Sequence, residues 1–349
     1  MESNTLITII AGLTLGTALG WVLQKGGFCM NTAFRSILFE KDRSLLRSWL
    51  IVLLINIPGV TLLSQIGVVT PSVAPVFWPA LIIGGLIFGA GMVLAGGCAS
   101  GTYYRAGRGM LGSWAALLFF LLGTEMMNGG ILNPLQTALR RPRILGSLSG
   151  DGSAPTLFDL AGAETPAAQW LVVGVLLTAL IIPLLRAPRQ NFVIGWGWKK
   201  TGILVGVLAL AVWAVSGALG RNFGLSFTQP SWAFMDVITD GDGSGVGLPL
   251  YILLGVPLGS YISAWIEGET RLSLPPGSTL VRQSAGGLLM GSGAALGGGC
   301  NIGHGISGVS ALSIGSALGV LSIMAGCWVA TWFVFNGSKK AAKGPQAVA

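Results

Sequence analysis

Three cysteines follow glycines at the ends of long apolar segments of this 349-residue chain. Cys98 and Cys300 each come directly after a Gly-Gly pair, and Cys29 follows Gly-Gly-Phe. Adjacent glycines let the backbone leave a helix and let other segments approach closely. At membrane depth, such irregular backbone is tolerated only where it is buried in protein or lines a wet cavity. The three thiols are therefore candidates for lining a cavity inside a membrane protein.

Thiols in this setting suit recognition of a soft anion. Short helices that begin at the glycine breaks would direct free N–H groups and positive dipole ends into the cavity, which favours an anion. A neutral thiol is a weak, polarisable donor, which suits a sulfur acceptor better than a hard oxyanion. Apolar surroundings disfavour a thiolate, so we expect these groups to stay neutral and not to repel the anion. Weak donors in series would admit an ion and still release it.

Other candidate residues have more than one interpretation. Cys327 lies in a plain apolar segment, where cysteine commonly acts as a small buried hydrophobe. His304 could relay protons or be a hydrogen-bonded structural residue, and Glu125 could lie within the membrane or at its interface. A metal site at His304 would need nearby carboxylate or further histidine ligands, which the sequence lacks, so we predict no metal site. We also predict no cofactor.

The composition predicts the class of protein that must position these residues. The chain has 20 Lys and Arg and 12 Asp and Glu, and 52% of its residues are hydrophobic. Soluble domains have about a quarter of their residues charged. Residues 48–104 contain no charged side chain, and residues 283–338 contain none apart from His304. Both stretches exceed the roughly 20 residues that cross a bilayer as a helix, so the lipid bilayer is a predicted partner.

Apolar runs predict nine transmembrane helices. Lys and Arg concentrate in alternate connections, which places the N-terminus outside and the C-terminus in the cytoplasm, with Arg140, Arg141 and Arg143 as the exception. Because topology explains the basic residues, we predict no nucleic-acid partner despite the net charge of +8. The predicted spans are residues 5–23, 48–66, 77–97, 109–129, 168–185, 201–219, 248–266, 283–299 and 310–335.

An internal repeat relates the two halves of the chain. The glycine pattern from Gly84 to Gly101 recurs from Gly286 to Gly303 at an offset of 202 residues, with Cys98 matching Cys300. In the second half, Ser226 occupies the place that Cys29 holds in the first. The alternative is a bundle in which the repeat is only an evolutionary remnant.

The odd number of spans predicts that the two copies run in opposite directions, related by a pseudo-two-fold axis in the membrane plane. The predicted divisions are a first repeat at 1–140, a loop and connector helix at 141–189, a second repeat at 190–336 and a mobile tail at 337–349.

The motifs Gly-Gly-Phe-Cys at 26–29 and Gly-Gly-Cys-x-x-Gly at 96–101 and 298–303 together resemble the YeeE/YedE family of bacterial sulfur transporters, particularly its thiosulfate-uptake members. The resemblance covers nearly the whole chain. It implies an hourglass-shaped, all-α, multi-pass inner-membrane protein with nine spans and short re-entrant helices from both sides. It also implies a central path on which cysteines pass thiosulfate through S–H···S hydrogen bonds. By motif, the path residues are Cys29, Cys98 and Cys300, with Gly27, Gly97, Gly101, Gly299 and Gly303 as its backbone, whereas Cys327 matches no motif.

Motifs and resemblance together predict a thiosulfate importer and not an enzyme. The resemblance also implies a separate, cytosolic TusA-like sulfurtransferase as partner. A competing hypothesis is a membrane sulfurtransferase that forms a cysteine persulfide, although the apolar setting of Cys98 and Cys300 disfavours the activated nucleophile that it needs. The sequence also fits a transporter of a different sulfur or selenium compound, and a redox-sensing or structural membrane component.

Overall fold

The computed structural model describes residues 2–39, 42–73, 75–141, 155–185 and 195–341, over which the chain is helical and forms no β-strand. A π-helical segment, Gly303–Gly308, lies within the short helical stretch 301–310. The helices are α1 (Glu2–Gly26), α2 (Met30–Leu38), α3 (Ser44–Gln65), α4 (Trp78–Ala95), α5 (Ala99–Gly107), α6 (Leu111–Asn128), α7 (Asn133–Leu139), α8 (Leu157–Leu160), α9 (Pro166–Leu185), α10 (Trp198–Ala218), α11 (Thr228–Thr239), α12 (Leu248–Ile266), α13 (Gly277–Gly297) and α14 (Ile314–Ala341).

Eight segments of the described chain are long and apolar enough to cross a membrane, and they coincide with eight of the nine predicted spans. The ninth prediction, 283–299, falls on α13, which is less apolar because it includes Arg282, Gln283 and several glycines, and which packs between α4 and α6. These findings confirm an all-α polytopic membrane protein. The eight segments are Thr5–Leu38, Ser44–Gln65, Trp78–Gly107, Leu111–Asn128, Pro166–Leu185, Trp198–Ala218, Leu248–Ile266 and Ile314–Val334.

The predicted connector helix and tail are described in part. α9 packs against α3 and leaves large apolar side chains such as Leu171 and Val175 exposed, which suits contact with lipid. α14 continues to Ala341, so the start of the predicted tail 337–349 is helical. The rest of that tail, residues 142–154 with Arg143, and residues 186–194 lie outside the described residues.

Corresponding helices of the two predicted repeats make corresponding contacts. α1 packs along α12 as α10 packs along α3, and α6 packs along α13 as α14 packs along α4. α4 and α13 run antiparallel, because Gly84 approaches Gly293 whereas Gly91 approaches Gly286. A Cβ on Gly84 would lie 2.7 Å from the Gly293 carbonyl oxygen, and one on Gly293 would lie 2.7 Å from the Gly84 carbonyl oxygen. An inverted repeat would give this antiparallel arrangement of α4 and α13; the inverted repeat and the hourglass outline stay predictions.

Candidate functional site

Both Gly-Gly-Cys motifs interrupt the helical path in the same way. The C-cap residue of α4 is Gly96, with φ of +76°, and the C-cap residue of α13 is Gly298, with φ of +80°. Glycine adopts this left-handed backbone without strain. The next helical turn begins at the cysteine, since the Cys98 and Cys300 carbonyls each accept a bond of 2.8 Å from the backbone N–H four residues later. Each cysteine thus lies where the end of one helix meets the start of another.

Cys29, Cys98 and Gly101 form the first half-site. Cys29 is the N-cap of α2 and Cys98 is the N-cap of α5, and their Sγ atoms lie 3.7 Å apart. The Ser100 hydroxyl lies 3.4 Å from Cys98 Sγ. A Cβ on Gly101 would be 3.1 Å from Cys29 Sγ and 3.5 Å from Cys98 Sγ. Glycine at 101 therefore makes room for a pair of thiols in contact.

Ser226, Cys300 and Gly303 form the second half-site. A Cβ on Gly303 would be 3.5 Å from Ser226 Oγ and 4.0 Å from Cys300 Sγ, so Ser226 takes the place of Cys29, as its position in the repeat predicts. The Gly303 N–H donates to Cys300 Sγ at 3.5 Å. Within the described chain, Cys300 hydrogen-bonds neither of the other two motif thiols. The structure therefore brings together two of the three predicted cysteines and places the third in the equivalent half-site.

Buried side chains connect the half-sites. Tyr103 of α5 reaches α11, where its hydroxyl lies 2.6 Å from Ser231 Oγ and its ring centroid lies 5.5 Å from that of Phe227. Phe227 directly follows Ser226. In the reciprocal contact, Met30, which follows Cys29, lies against Gly305, where a Cβ would be 2.8 Å from Met30 Cε. Tyr103, Phe227 and Met30 are all buried, so these contacts between elements of the two half-sites lie in the interior of the protein.

A cavity of about 290 Å³ reaches the second half-site. Its wall includes Ser226, Gly299 and Gly303, which adjoin Cys300 in space or in sequence, and also Arg140 and Asn128. The cysteines of both half-sites are buried: Cys29 and Cys98 are at most 1% exposed and Cys300 is 0% exposed. The cavity wall includes the neighbours of Cys300 but not Cys300 itself. Solvent and small ions can therefore approach Ser226 and the backbone beside Cys300.

An arginine lies at the end of each repeat helix. Arg140 donates to the Ala295 carbonyl at 2.5 Å and to the Leu296 carbonyl at 3.2 Å, at the end of α13. Arg105 donates to the Gly96 carbonyl, at the end of α4. Helix C-termini carry a partial negative charge that would repel an anion, and the guanidinium groups offset it. Burial lowers the pKa of Arg140 from its ordinary value.

Arg140 was not predicted as a site residue. The sequence indicated it only as part of the basic cluster that opposed the charge distribution of the other connections. That exception was the available signal, because a basic residue that topology does not explain calls for another function.

Predicted path glycines have different surroundings. Gly101 and Gly303 adjoin the half-site side chains, as described above. Gly97 instead makes room for Arg105, because a Cβ there would be 2.8 Å from Arg105 Nη1. Gly299 similarly faces His304, and Gly27 has φ of +56° with open space around it.

Three residues had more than one interpretation from the sequence, and the structure describes the surroundings of each of them. His304 has Nε2 3.2 Å from the Gly297 carbonyl oxygen and Nδ1 3.2 Å from Ser316 Oγ, which favours the structural interpretation. Glu125 lies in the last turn of α6, near the end of its span. Cys327 is buried but also donates to Asn31 Oδ1 at 3.5 Å, so it anchors the start of α2. Among the described residues, no cluster of three or more His, Cys, Asp or Glu could hold a metal ion.

Comparison with known proteins gives matches along nearly the whole chain. A family model described as sulphur transport matches residues 25–329, which include all three motif cysteines. The chain is 31% identical over 341 residues to the thiosulfate transporter TsuA of Escherichia coli (strain K12), covering 96% of this chain and 97% of that protein. It is 32% identical over 336 residues to thiosulfate transporter TsuA of Spirochaeta thermophila, covering 94% of this chain and 99% of that protein. A probable transporter YedE of Escherichia coli is 30% identical over 117 residues, covering 33% of this chain and 28% of that protein. The matched proteins are named as transporters, as the sequence predicted for this one.

Proposed function

Because this chain belongs to the sulphur transport family, we propose that it carries thiosulfate across the bacterial inner membrane into the cytoplasm. The observation that carries this proposal is the pair of equivalent half-sites, each built at a helix break with a buried thiol and an arginine nearby. The names of the two full-length relatives supply the substrate.

The proposed direction of transport is from the cavity beside Cys300 to the Cys29–Cys98 pair. The connections that carry most Lys and Arg meet at one end of the molecule, where Lys25 pairs with Glu267 and Arg108 pairs with Glu269 at 3.2 Å. Connections 67–76 and 220–247 meet elsewhere, through a bond of 2.8 Å from the Ser72 N–H to the Asn222 carbonyl. The positive-inside rule makes the first end cytoplasmic, which puts the N-terminus outside and the C-terminus inside.

Transport requires that the protein replace the hydration of a dianion without holding the ion too tightly. In the proposed mechanism, Arg140 and Arg105 provide positive charge near the two half-sites, and neutral thiols donate weak S–H bonds to the terminal sulfur. No covalent bond forms. The ion passes from Cys300 to the Cys29–Cys98 pair once the side chains of Tyr103, Phe227 and Met30 move apart.

A cytosolic partner fits this direction of transport. We propose that a separate TusA-like sulfurtransferase receives the sulfur on the cytoplasmic side, as the family resemblance implies. Consumption of the ion there would keep its internal concentration low and favour further entry.

Uptake of radiolabelled thiosulfate by proteoliposomes tests the proposed function. We expect saturable uptake above that of empty liposomes, with sulfate and selenite added as competitors to measure selectivity. Uptake no greater than that of empty liposomes would contradict the proposal. Mass spectrometry of the protein after exposure to thiosulfate tests for a sulfurtransferase, because persulfide formation would add one sulfur atom to a motif cysteine.

A further inference from the structure

We propose that a second, larger cavity, at the proposed external end of the molecule, binds the phosphate group of an anionic phospholipid through Arg221. The cavity measures about 680 Å³, which lies within the range of roughly 300 to 1,000 Å³ that is typical of ligand sites. It is distinct from the cavity beside Cys300, although Gln229 lies in the wall of both. The inference does not depend on which ion the protein transports.

The larger cavity lies where three membrane spans begin or end. Its wall includes Thr5, the first residue of one span, Ala218, the last residue of another, and Leu248, the first residue of a third. Lipid headgroups occupy the interfacial region directly outside the hydrocarbon core that such spans cross. The cavity is therefore at the depth at which the phosphate groups of lipids lie.

Arg221 supplies a positive charge to the wall. Its Nη2 donates to Gln229 Oε1 at 2.5 Å, and its guanidinium makes no further hydrogen bond or ion pair within the described residues. A guanidinium has five N–H donors in a geometry that matches phosphate, so most of them remain for a ligand. Burial lowers the pKa of Arg221 to about 10, so the side chain is still charged at neutral pH.

The position of Arg221 in the sequence is unusual for a basic residue. It is the only Lys or Arg in the connection 220–247, which the proposed orientation places outside. The positive-inside rule concentrates basic residues in cytoplasmic connections, so topology does not explain this one. A binding function does explain it.

Three aspartates in the same connection carry negative charge, but none of them lines the larger cavity. Asp236 and Asp240 interact electrostatically with Glu125 on α6. Asp242 accepts bonds from the N–H and the Oγ of Ser244, at 2.8 and 2.7 Å. Arg221 is thus left without a carboxylate partner among the described residues, and an anionic ligand would balance its charge.

Apolar side chains beside the cavity favour a lipid over a soluble ion. Leu219 and Val246 line the wall and are exposed, at 36% and 39%. The first turns of α1, which also reach the wall, expose Leu6 and Ile10. A free phosphate ion gains nothing from apolar surface, whereas the glycerol backbone and acyl chains of a lipid pack against it. Basic pockets between membrane helices bind anionic headgroups in this way.

Native mass spectrometry of the purified full-length protein, titrated with phosphatidylglycerol, tests the assignment. We expect the wild-type protein to bind one phosphatidylglycerol more tightly than it binds phosphatidylcholine, which has no net charge. In Arg221→Gln the Kd for that lipid should rise roughly tenfold, because a charge-assisted contact is lost. Arg282→Gln removes an exposed charge from α13, is the matched control and should leave the Kd unchanged.

Inorganic phosphate, added at constant ionic strength, distinguishes a lipid from a soluble ion. We expect it not to displace phosphatidylglycerol, and we expect Arg221→Gln not to change the KM for thiosulfate uptake. Displacement by inorganic phosphate, or a raised KM, would make Arg221 part of a site for a soluble anion and would overturn the lipid assignment. The binding titration requires no transport, so its failure is distinct from failure of the proposed function.

An unchanged phosphatidylglycerol Kd in Arg221→Gln would also overturn the assignment. If that variant is lost during purification, Val246→Glu takes its place, because Val246 is exposed in the wall and tolerates a polar side chain. The added negative charge should raise the phosphatidylglycerol Kd severalfold and leave phosphatidylcholine binding unchanged. Equal Kd values for Val246→Glu and the wild-type protein would contradict a headgroup at this position.

Discussion

Cys29 Sγ and Cys98 Sγ are in contact at 3.7 Å, although the two residues are 69 positions apart in the chain. An ion cannot lie between two sulfur atoms in contact, so on the proposed path the pair must separate before the ion passes. The two thiols that are proposed to donate to the substrate would therefore also close that path.

Contact between these sulfurs predicts an oxidation-sensitive block. Diamide, a thiol oxidant that is itself reduced to a hydrazine as two thiols lose their hydrogens, should join Cys29 to Cys98 and abolish uptake, and dithiothreitol should restore it. Peptide mapping without reduction would identify the linkage. A cross-link from either residue to Cys300 instead would contradict the arrangement, because Cys300 lies in the other half-site.

Replacing each cysteine by serine tests the path. Serine keeps a donor but loses the polarisable sulfur, so Cys29→Ser, Cys98→Ser and Cys300→Ser should each lower thiosulfate uptake by at least about tenfold, the loss of roughly one weak interaction with a charged ion. Cys327→Ser is the matched control, because its hydroxyl can still donate to Asn31, and it should transport normally. Normal uptake by all three motif variants would exclude the thiol path.

Alanine at Gly101 should obstruct the first half-site. Its Cβ would lie 3.1 Å from Cys29 Sγ, so the sulfur must shift by a few tenths of an ångström and the pair loses its geometry. We expect uptake to fall severalfold while the protein still elutes as a folded species in size-exclusion chromatography. Gly174→Ala on α9, where a Cβ meets nothing within 4 Å, is the control and should leave uptake unchanged. An equal loss of uptake in the two variants would contradict a specific role of Gly101 in the first half-site.

Loss of the Arg140 charge should weaken substrate binding at the cavity. In Arg140→Gln we expect the KM for thiosulfate to rise roughly tenfold, because a charge-assisted contact is lost, with a smaller change in the maximal rate. Arg282→Gln removes an equal charge from an exposed position on α13 and should not alter KM. A matching rise in both variants would indicate a general charge effect and not a site at Arg140.

Membrane-impermeant maleimide labelling tests the proposed orientation. All four native cysteines are buried, so the unmodified protein should label poorly. Ser244 and Ser273 are both exposed, and the proposed orientation places Ser244 outside and Ser273 in the cytoplasm. Ser244→Cys should therefore label in intact cells, whereas Ser273→Cys should label only after permeabilisation. The reverse pattern would invert the transport direction proposed here.

Local features of the sequence determined the class, the spans and the helix breaks. Hydrophobic runs long enough to cross a bilayer can be recognised one segment at a time. The helices break at Gly96 and Gly298, as the glycine motifs predicted, because left-handed backbone is a local preference of glycine. The equivalence of Ser226 and Cys29 was likewise readable from the repeat.

Only the tertiary structure decided which groups meet. Cys29 reaches Cys98 through the packing of separate helices, Arg140 reaches the end of α13 across 156 positions of sequence, and Cys327 bonds Asn31 across 296. The sequence could not distinguish a thiol that faces another thiol from one beside a hydroxyl and a cavity. That difference arises because α4 and α13 pack antiparallel at close-approach glycines, and contacts between distant segments depend on the packing of the whole bundle.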